Sequence, residues 1–523
     1  MQNAHTLLRS TLLLTAASFL MQTVGVSFNV WLTNRLGEAG IGLFQLIMTV
    51  YGLAVTLGCG GIRLAATRLA VEGDAVRENT RRTMLRCVGY ACGTGLAAAA
   101  LLLPLAEPAA RYWLDDLRAA QPLRVLALSL PFVAMSSALN GYFTAVGKVG
   151  RYSAVRILEQ AVKIGVVMAL MGVLLPRGEA YGCIAIVIGV TVSEMFSFMC
   201  LFILYNTEKQ MYREKLQKFR WRNVLHIALP DVAGSGARSV LLTAEHLLIP
   251  WGFRQAGASS DSAMAVYGSV HGMVFPLLLY PSAILTSLSG MLIPEIAGRH
   301  AQGLHGQIAY MTRRVLRMTL LFAFGTAGIM FAFADGLSEA VYHTEDCTFY
   351  LRILSPLIPV MYCDMTTDGL LKGLDEQRAC MRYNIFDSAL CVVLVYVLLP
   401  RIAIRGYILI LFLSEIINFY LSMRRLTHVA DVEVHALPDL VVPLCCAFCA
   451  SAPVRFLLRL CGDPAWDRAL LALCIAAAFC LYVLLLYGFG ALTREDTQWL
   501  CRTCGITPHR TPTAGRTAVG AKL

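Results

Sequence analysis

Asp231, Arg238 and Glu245 stand seven residues apart in a stretch that is otherwise mostly apolar. On a helix each step of seven turns the chain about 20° short of two full turns, so the three share one stripe, with Gly234 and Ser235 between the first two. Two chemistries fit that stripe. In one, Arg238 meets a substrate phosphate while Asp231 or Glu245 takes up a proton or Na⁺ for coupling. In the other, the three charges neutralise one another as a packing network. Glu194 lies deep in an apolar run and is a further candidate ion site. Lys163 follows Glu159 by four residues, the spacing of a helical ion pair. Arg35 and Arg63 close the first two apolar stretches, where basic residues also serve as plain interface anchors. His246 is expected at an interface rather than in a proton relay.

Motifs for covalent chemistry are poor. The sequence holds no Walker loop for cradling nucleotide phosphates. Cys501 and Cys504 form a single C-x-x-C pair with only His509 nearby, too little for a zinc site. No metal and no cofactor is expected, apart from a coupling H⁺ or Na⁺.

The elements that must hold these charges follow from composition. Of 523 residues, 57% are hydrophobic and 15% charged, against about 25% charged in a soluble domain. Mean hydropathy is +0.63. Water-soluble globules of this composition would lack the polar surface to cover their cores, and disorder is excluded by the same arithmetic. Seventeen Cys, most of them inside apolar runs, are too sparse for a disulfide scaffold. About fourteen stretches approach the roughly 20 apolar residues that a membrane-crossing helix needs, from 10–33 to 469–492. Closed β-barrels are excluded, because their strands alternate over about ten residues. The first stretch, with only Arg9 ahead of it and no clear cleavage site, is expected to stay as a span.

Placing both termini in the cytoplasm puts about 30 Lys and Arg inside and about 12 outside, the bias that orients membrane proteins. The 206–222 loop and the 63–86 segment carry much of the excess, while the 335–346 loop is acidic. That asymmetry absorbs the net charge of +11, so no nucleic-acid partner is expected.

The two halves resemble each other at a shift of about 228 residues. Asn140-Gly141 meets Asp368-Gly369, and Ile157, Leu158, Glu159 and Ala161 meet Ile385, Phe386, Asp387 and Ala389. Leu174-Leu175-Pro176-Arg177 recurs as Leu398-Leu399-Pro400-Arg401, and Ser193-Glu194 with Phe198 as Ser414-Glu415 with Phe419. The expected fold is therefore an all-α membrane protein of about 14 transmembrane helices, in two parallel six-helix lobes (1–215 and 223–430). Two C-terminal helices (439–493) and a cytoplasmic, disordered tail (494–523) complete it. Six is even, so both lobes start on one side, a transporter plan with the site between lobes. The recurring pairs Glu159/Asp387, Glu194/Glu415 and Asn140/Asp368 read as structural ties that each lobe needs for itself. Prolines inside spans, such as Pro131, Pro281, Pro356 and Pro359, are expected to permit bends.

Asn34-Arg35-Leu36-Gly37, then Gly40-Ile41-Gly42-Leu43-Phe44-Gln45 and Gly60-Gly61-Ile62-Arg63 with Thr67-Arg68, resemble the polysaccharide-biosynthesis and stage V sporulation protein B family. In the second half so do Leu248-Ile249-Pro250, Tyr280-Pro281-Ser282-Ala283 and Leu292-Ile293-Pro294-Glu295-Ile296-Ala297. The resemblance runs over about residues 10–490. It implies the multidrug/oligosaccharidyl-lipid/polysaccharide exporter superfamily, with alternating access between two lobes. Fourteen spans rather than twelve resemble its lipid-linked-sugar branch, where the extra helices would form a groove for the lipid tail.

What that implies is a flippase in the plasma membrane for a lipid-linked, undecaprenyl-pyrophosphate type oligosaccharide or peptidoglycan precursor, coupled to an ion gradient or membrane potential. Its partners would be that lipid-linked sugar and membrane lipids; the chain would work as a monomer, with envelope-synthesis enzymes as further associates. Arg35, Arg63 and Arg238 would then bind the diphosphate, since a guanidinium pairs two oxygens at once. Asp231, Glu245 and Glu194 would serve ion coupling. Two rivals stand beside this: a cation-coupled multidrug antiporter of the same superfamily, and an integral-membrane polymerase or ligase of the cell envelope.

Overall fold

The computed structural model describes residues 2–68, 80–207, 221–432, 440–460 and 468–503, with the side chains of some stretches, 221–231 among them, outside the description. Every regular element among the described residues is a helix. A helical run from Gln2 to Cys59 breaks at Gly37, where φ is 73° and a β-carbon would be strained. It yields α1 (2–36) and α2 (38–59). Then come α3 (Thr80–Pro108), α4 (Ala120–Ala127), α5 (Leu130–Ala145), α6 (Val149–Leu174), α7 (Glu179–Thr207) and α8 (Trp221–Gln255). α9 (Ser260–Leu279) contains a π turn at Gly268–Val274 and is followed by α10 (Ala283–Ala301), α11 (His305–Ala332), α12 (Ala334–Tyr342), α13 (Asp346–Leu354) and α14 (Ile358–Gly373). A second run, Gln377–Ala430, breaks at Ala403 into α15 (377–402) and α16 (404–430). α17 (Val442–Leu460), α18 (Arg468–Gly488) and α19 (Arg494–Thr503) close the described chain.

Among the described residues, eight helical stretches are long and apolar enough to cross a membrane, and the α4–α5 pair, bent by 47°, makes a ninth. Two of the eight are the broken runs, each holding two helices. The charge-bearing α8, the α13–α14 pair and the shorter α17 complete about fourteen passes. Prolines mark the bends: Pro131 opens α5, Pro281 lies between α9 and α10, and Pro356 sits in the 3₁₀ turn between α13 and α14.

Corresponding pairs pack alike in the two halves, α3 on α5 and α11 on α14. The largest apolar core joins both lobes, running from Leu32 and Ile47 to Tyr267 and Leu278. Toward the other end the cores separate, one around Ile62, Phe143 and Leu201, the other around Ile296, Met311 and Leu426. At the shared end α2 crosses α9 backbone to backbone. A β-carbon on Gly42 would lie 2.3 Å from the Met264 carbonyl oxygen, and one on Gly268 would lie 2.1 Å from that of Glu38. Only glycine permits this approach, and Asn29 Nδ2 strengthens it by donating to the Gly272 carbonyl at 2.7 Å. One firm seam with separate cores beyond it is the layout that rocking lobes require.

The expected disorder from residue 494 is corrected at its start, because α19 is ordered by tertiary contacts. Asp496, 3% exposed, accepts from the Thr493 backbone N–H and hydroxyl at 3.0 and 2.7 Å. It also pairs with Arg314 of α11 at 2.9 Å, and that guanidinium lies 5.9 Å from the Trp499 ring centroid. Residues 504–523 lie outside the described residues, as do Cys504, His509 and most of the basic 206–222 loop.

Candidate functional site

Charged and polar side chains gather inside each lobe. In the first, α6 supplies Arg156, Glu159 and Lys163 and α7 supplies Glu194. Glu159, 8% exposed, takes the Arg156 guanidinium with both oxygens, at 2.7 and 2.9 Å. The spacing suggested Lys163 as its partner. The acid turns instead to the residue three positions before it, and Lys163 interacts electrostatically with both Glu159 and Glu194. Two acids and two bases thus balance in one half-buried group.

In the second lobe the acids outnumber the bases. α8 brings Arg238 and Glu245, α14 brings Asp364 and Asp368, α15 brings Asp387, and α16 brings Glu415. Glu245 lies near Cys391 and feels the charge of Asp387, which in turn has Arg238 as its positive neighbour. Glu415 interacts with Asp364, Asp387 and Glu245. Ser414 Oγ donates to Asp387 at 2.7 Å, and Asn418 Nδ2 donates to Asp364 at 3.0 Å. Lys372 is 3.7 Å from Asp368. Among the described residues the second oxygens of Asp364 and Asp368 are buried without a hydrogen-bond partner. No group of three or more His, Cys, Asp or Glu among the described residues is close enough to hold a metal ion.

Of the three candidate arginines, the structure brings two toward one crossing. A β-carbon on Gly236 of α8 would meet Leu57 of α2 at 3.6 Å, and one on Gly60 would meet Val232 at 3.8 Å. Exposed Arg63 and exposed Arg238 flank that crossing from opposite lobes. Arg35 lies apart, at the far end of α2 beyond the Gly37 break, with its guanidinium 5.8 Å from the Trp31 ring centroid. Of the acids, Glu245 joins the second cluster and Glu194 the first, while the side chain of Asp231 lies outside the described residues.

Three features escaped the sequence reading. Arg156 is not among the sequence candidates, yet it is the close partner of Glu159. Asp364 and Glu415 joined Glu245 only through the packing of α8, α14, α15 and α16. His246, expected at an interface, sits within the second lobe, its Nδ1 3.0 Å from the Tyr267 hydroxyl and its ring 4.7 Å from that of His271. His271 Nε2 in turn lies 2.7 Å from the Tyr407 hydroxyl. A signal for the second cluster was present: subtracting one repeat from the other exposes the missing bases.

The chain is 24% identical over 509 residues to the stage V sporulation protein B of Bacillus subtilis (strain 168), covering 94% of this chain and 97% of that protein. It is 21% identical over 402 residues to the sporulation protein YkvU of the same organism, covering 75% and 87%. Among solved structures, the lipid II flippase MurJ in an inward closed conformation superposes with a TM-score of 0.64 at 14% identity, over 91% of this chain and 98% of that one. An inward-facing MATE multidrug resistance transporter of the MOP superfamily gives 0.62 at 13% identity, over 78% and 96%. The fold is thus that of the MOP-superfamily membrane transporters. The sequence model of the polysaccharide biosynthesis proteins matches residues 7–297, more than half of the sequence, and the chain belongs to that family.

Proposed function

We propose that this chain is a flippase that moves the head group of an undecaprenyl-pyrophosphate type, lipid-linked oligosaccharide or peptidoglycan precursor across the cytoplasmic membrane by alternating access, both termini being cytoplasmic. One observation carries the proposal: exposed guanidiniums, Arg63 and Arg238, stand on opposite lobes beside one interlobe crossing. A cation at bilayer depth costs about 2.5–3.5 kcal/mol even on the insertion scale, so such groups belong in a wet chamber. An anionic diphosphate is the head group that two planar, permanently charged donors suit. Arg63 ends the second span and Arg238 lies near the middle of α8, so the head group meets them in succession while its tail stays in lipid. The likeness to a lipid II flippase over 91% of the chain supports the same direction.

Coupling, on this proposal, belongs to the second lobe. Its acids outnumber their bases, and a proton or Na⁺ drawn from the membrane gradient would supply the missing positive charge. In the first lobe Arg156 and Lys163 already do so for Glu159 and Glu194.

The test is translocation of lipid-linked sugars by the full chain in proteoliposomes. Arg238→Ala is expected to abolish translocation while leaving membrane insertion intact; normal translocation would remove this residue from the mechanism. Efflux of cationic dyes with no movement of lipid-linked sugar would point to the drug antiporter instead.

A further inference from the structure

A hollow of about 470 Å³ opens in the second lobe, away from the interlobe crossing, between α11, the α13–α14 break, α16 and the start of α17. The chain interrupts its own helix along one wall: the 3₁₀ turn at Ser355–Leu357 holds Pro356, Pro359 follows just after, and both prolines line the hollow. Its volume is that of a site holding a small-molecule ligand, roughly 300–1,000 Å³. Leu316, Leu320, Phe324, Val360, Phe419 and Met423 make its wall almost wholly apolar.

The charges are confined to one end. Arg313 and Arg317, one helical turn apart on α11, line the hollow. Arg317 is fixed by donating to the Ala491 carbonyl at 2.8 Å and lies 3.9 Å from Asp496. Arg313 is exposed. The basic run Arg313, Arg314, Arg317 gives way directly to the apolar part of α11, and Trp499 of α19 packs beside it. Arginines and a tryptophan at the start of an apolar span mark the membrane–water boundary. The hollow therefore begins at lipid head-group level and continues into the hydrocarbon, with cations at its wet end and, among the described residues, no acid in its lining. That is the polarity of an anionic amphiphile.

We propose that this hollow is a binding site for an anionic phospholipid, whose acyl chain lies between α11, α14 and α16 and whose phosphate sits on Arg313, with Arg317 beside it. The site does not depend on the transport mechanism above, and the transported head group has no role in it. The lipid fills the hollow beside the α13–α14 break.

Native mass spectrometry of the full chain in mild detergent tests this, with phosphatidylglycerol, phosphatidylcholine and undecaprenyl phosphate as separate probes. Phosphatidylglycerol should be retained and phosphatidylcholine should not. Arg313→Gln should weaken phosphatidylglycerol retention at least about tenfold, the scale of losing one charge-assisted contact, and Arg313→Lys should keep most of it. Leu320→Trp, which fills the hollow, should displace the lipid from protein that still elutes as a monodisperse species. Equal retention of the two phospholipids, or unchanged retention by Arg313→Gln, would overturn the proposal. So would retention of undecaprenyl phosphate in preference to phosphatidylglycerol, because the hollow would then belong to the carrier lipid.

Discussion

The two lobes carry the same acids in the same places and differ in what faces them. Glu159 and Asp387 are repeat equivalents, as are Glu194 and Glu415, and Ser193 and Ser414. At the same shift Arg156 becomes Asn384 and Lys163 becomes Cys391. In the first lobe the two bases neutralise the two acids within the helices that carry them. In the second, neither base recurs: Asn384 donates to the Cys380 carbonyl at 2.8 Å and to Asp368 at 3.5 Å, and Cys391 lies near a further acid, Glu245. The acids thus recur in both lobes while one lobe is electrically closed and the other is not. Buried carboxylates without cations are costly, so an imbalance kept inside the membrane is where an exchangeable cation has work to do.

The largest effect should come from removing that imbalance. Asp387→Asn is expected to reduce gradient-driven translocation by roughly 5–150-fold, the range of a typical coupling free energy. The matching change in the first lobe, Glu159→Gln, should leave the dependence on the gradient in place. Parallel flux measurements in proteoliposomes, with and without a proton or Na⁺ gradient, compare the two. If both variants lose gradient dependence equally, the lobes do not divide the labour in this way.

A smaller effect separates them by stability. Arg156→Asn gives the first lobe the residue of the second and leaves Glu159 without its close partner. Breaking a fully buried pair would cost about 3–5 kcal/mol. The Arg156 side chain is 48% exposed, however, so solvent screening reduces the expectation to about 1–2 kcal/mol. Thermal unfolding in detergent should show the loss for Arg156→Asn, and Arg156→Lys should restore part of it. An unchanged melting curve would mean that the first cluster is not held together by charge.

Much of the fold was legible because hydropathy is read over long windows. Continuous apolar runs announce spans, and Pro281 and Pro356 announce breaks, since proline removes a backbone donor wherever it stands. The α19 helix was not legible. Arg494, Glu495, Asp496, Thr497 and Gln498 look like a solvated tail, and what orders them is Arg314, distant in sequence. The site was half legible for a related reason. A stripe on one helix follows from spacing, which is how Arg238 and Glu245 were found. A cluster assembled from α8, α14, α15 and α16 follows only from packing, so Asp364 and Glu415 seemed unrelated to them.

The smallest test concerns how each lobe turns between its last two spans. After Leu174-Leu175-Pro176-Arg177 the first lobe places Gly178, with φ at 126°. After Leu398-Leu399-Pro400-Arg401 the second continues with Ile402 and turns at Ala403, with φ 43° and ψ −126°. Those angles lie close to the first central position of a type II′ turn, which glycine dominates because a β-carbon there meets backbone. Strain of this kind costs of order 1–3 kcal/mol, and glycine returns part of the relief by loosening the unfolded chain, by about 0.4–1 kcal/mol. Ala403→Gly should therefore stabilise the protein by about 1 kcal/mol, read as a raised melting temperature, whereas Gly178→Ala should destabilise it. Should Ala403→Gly melt lower than the parent chain, packing of the Ala403 methyl against the core would outweigh the backbone term, and the two turns would be alike in sequence but not in what holds them.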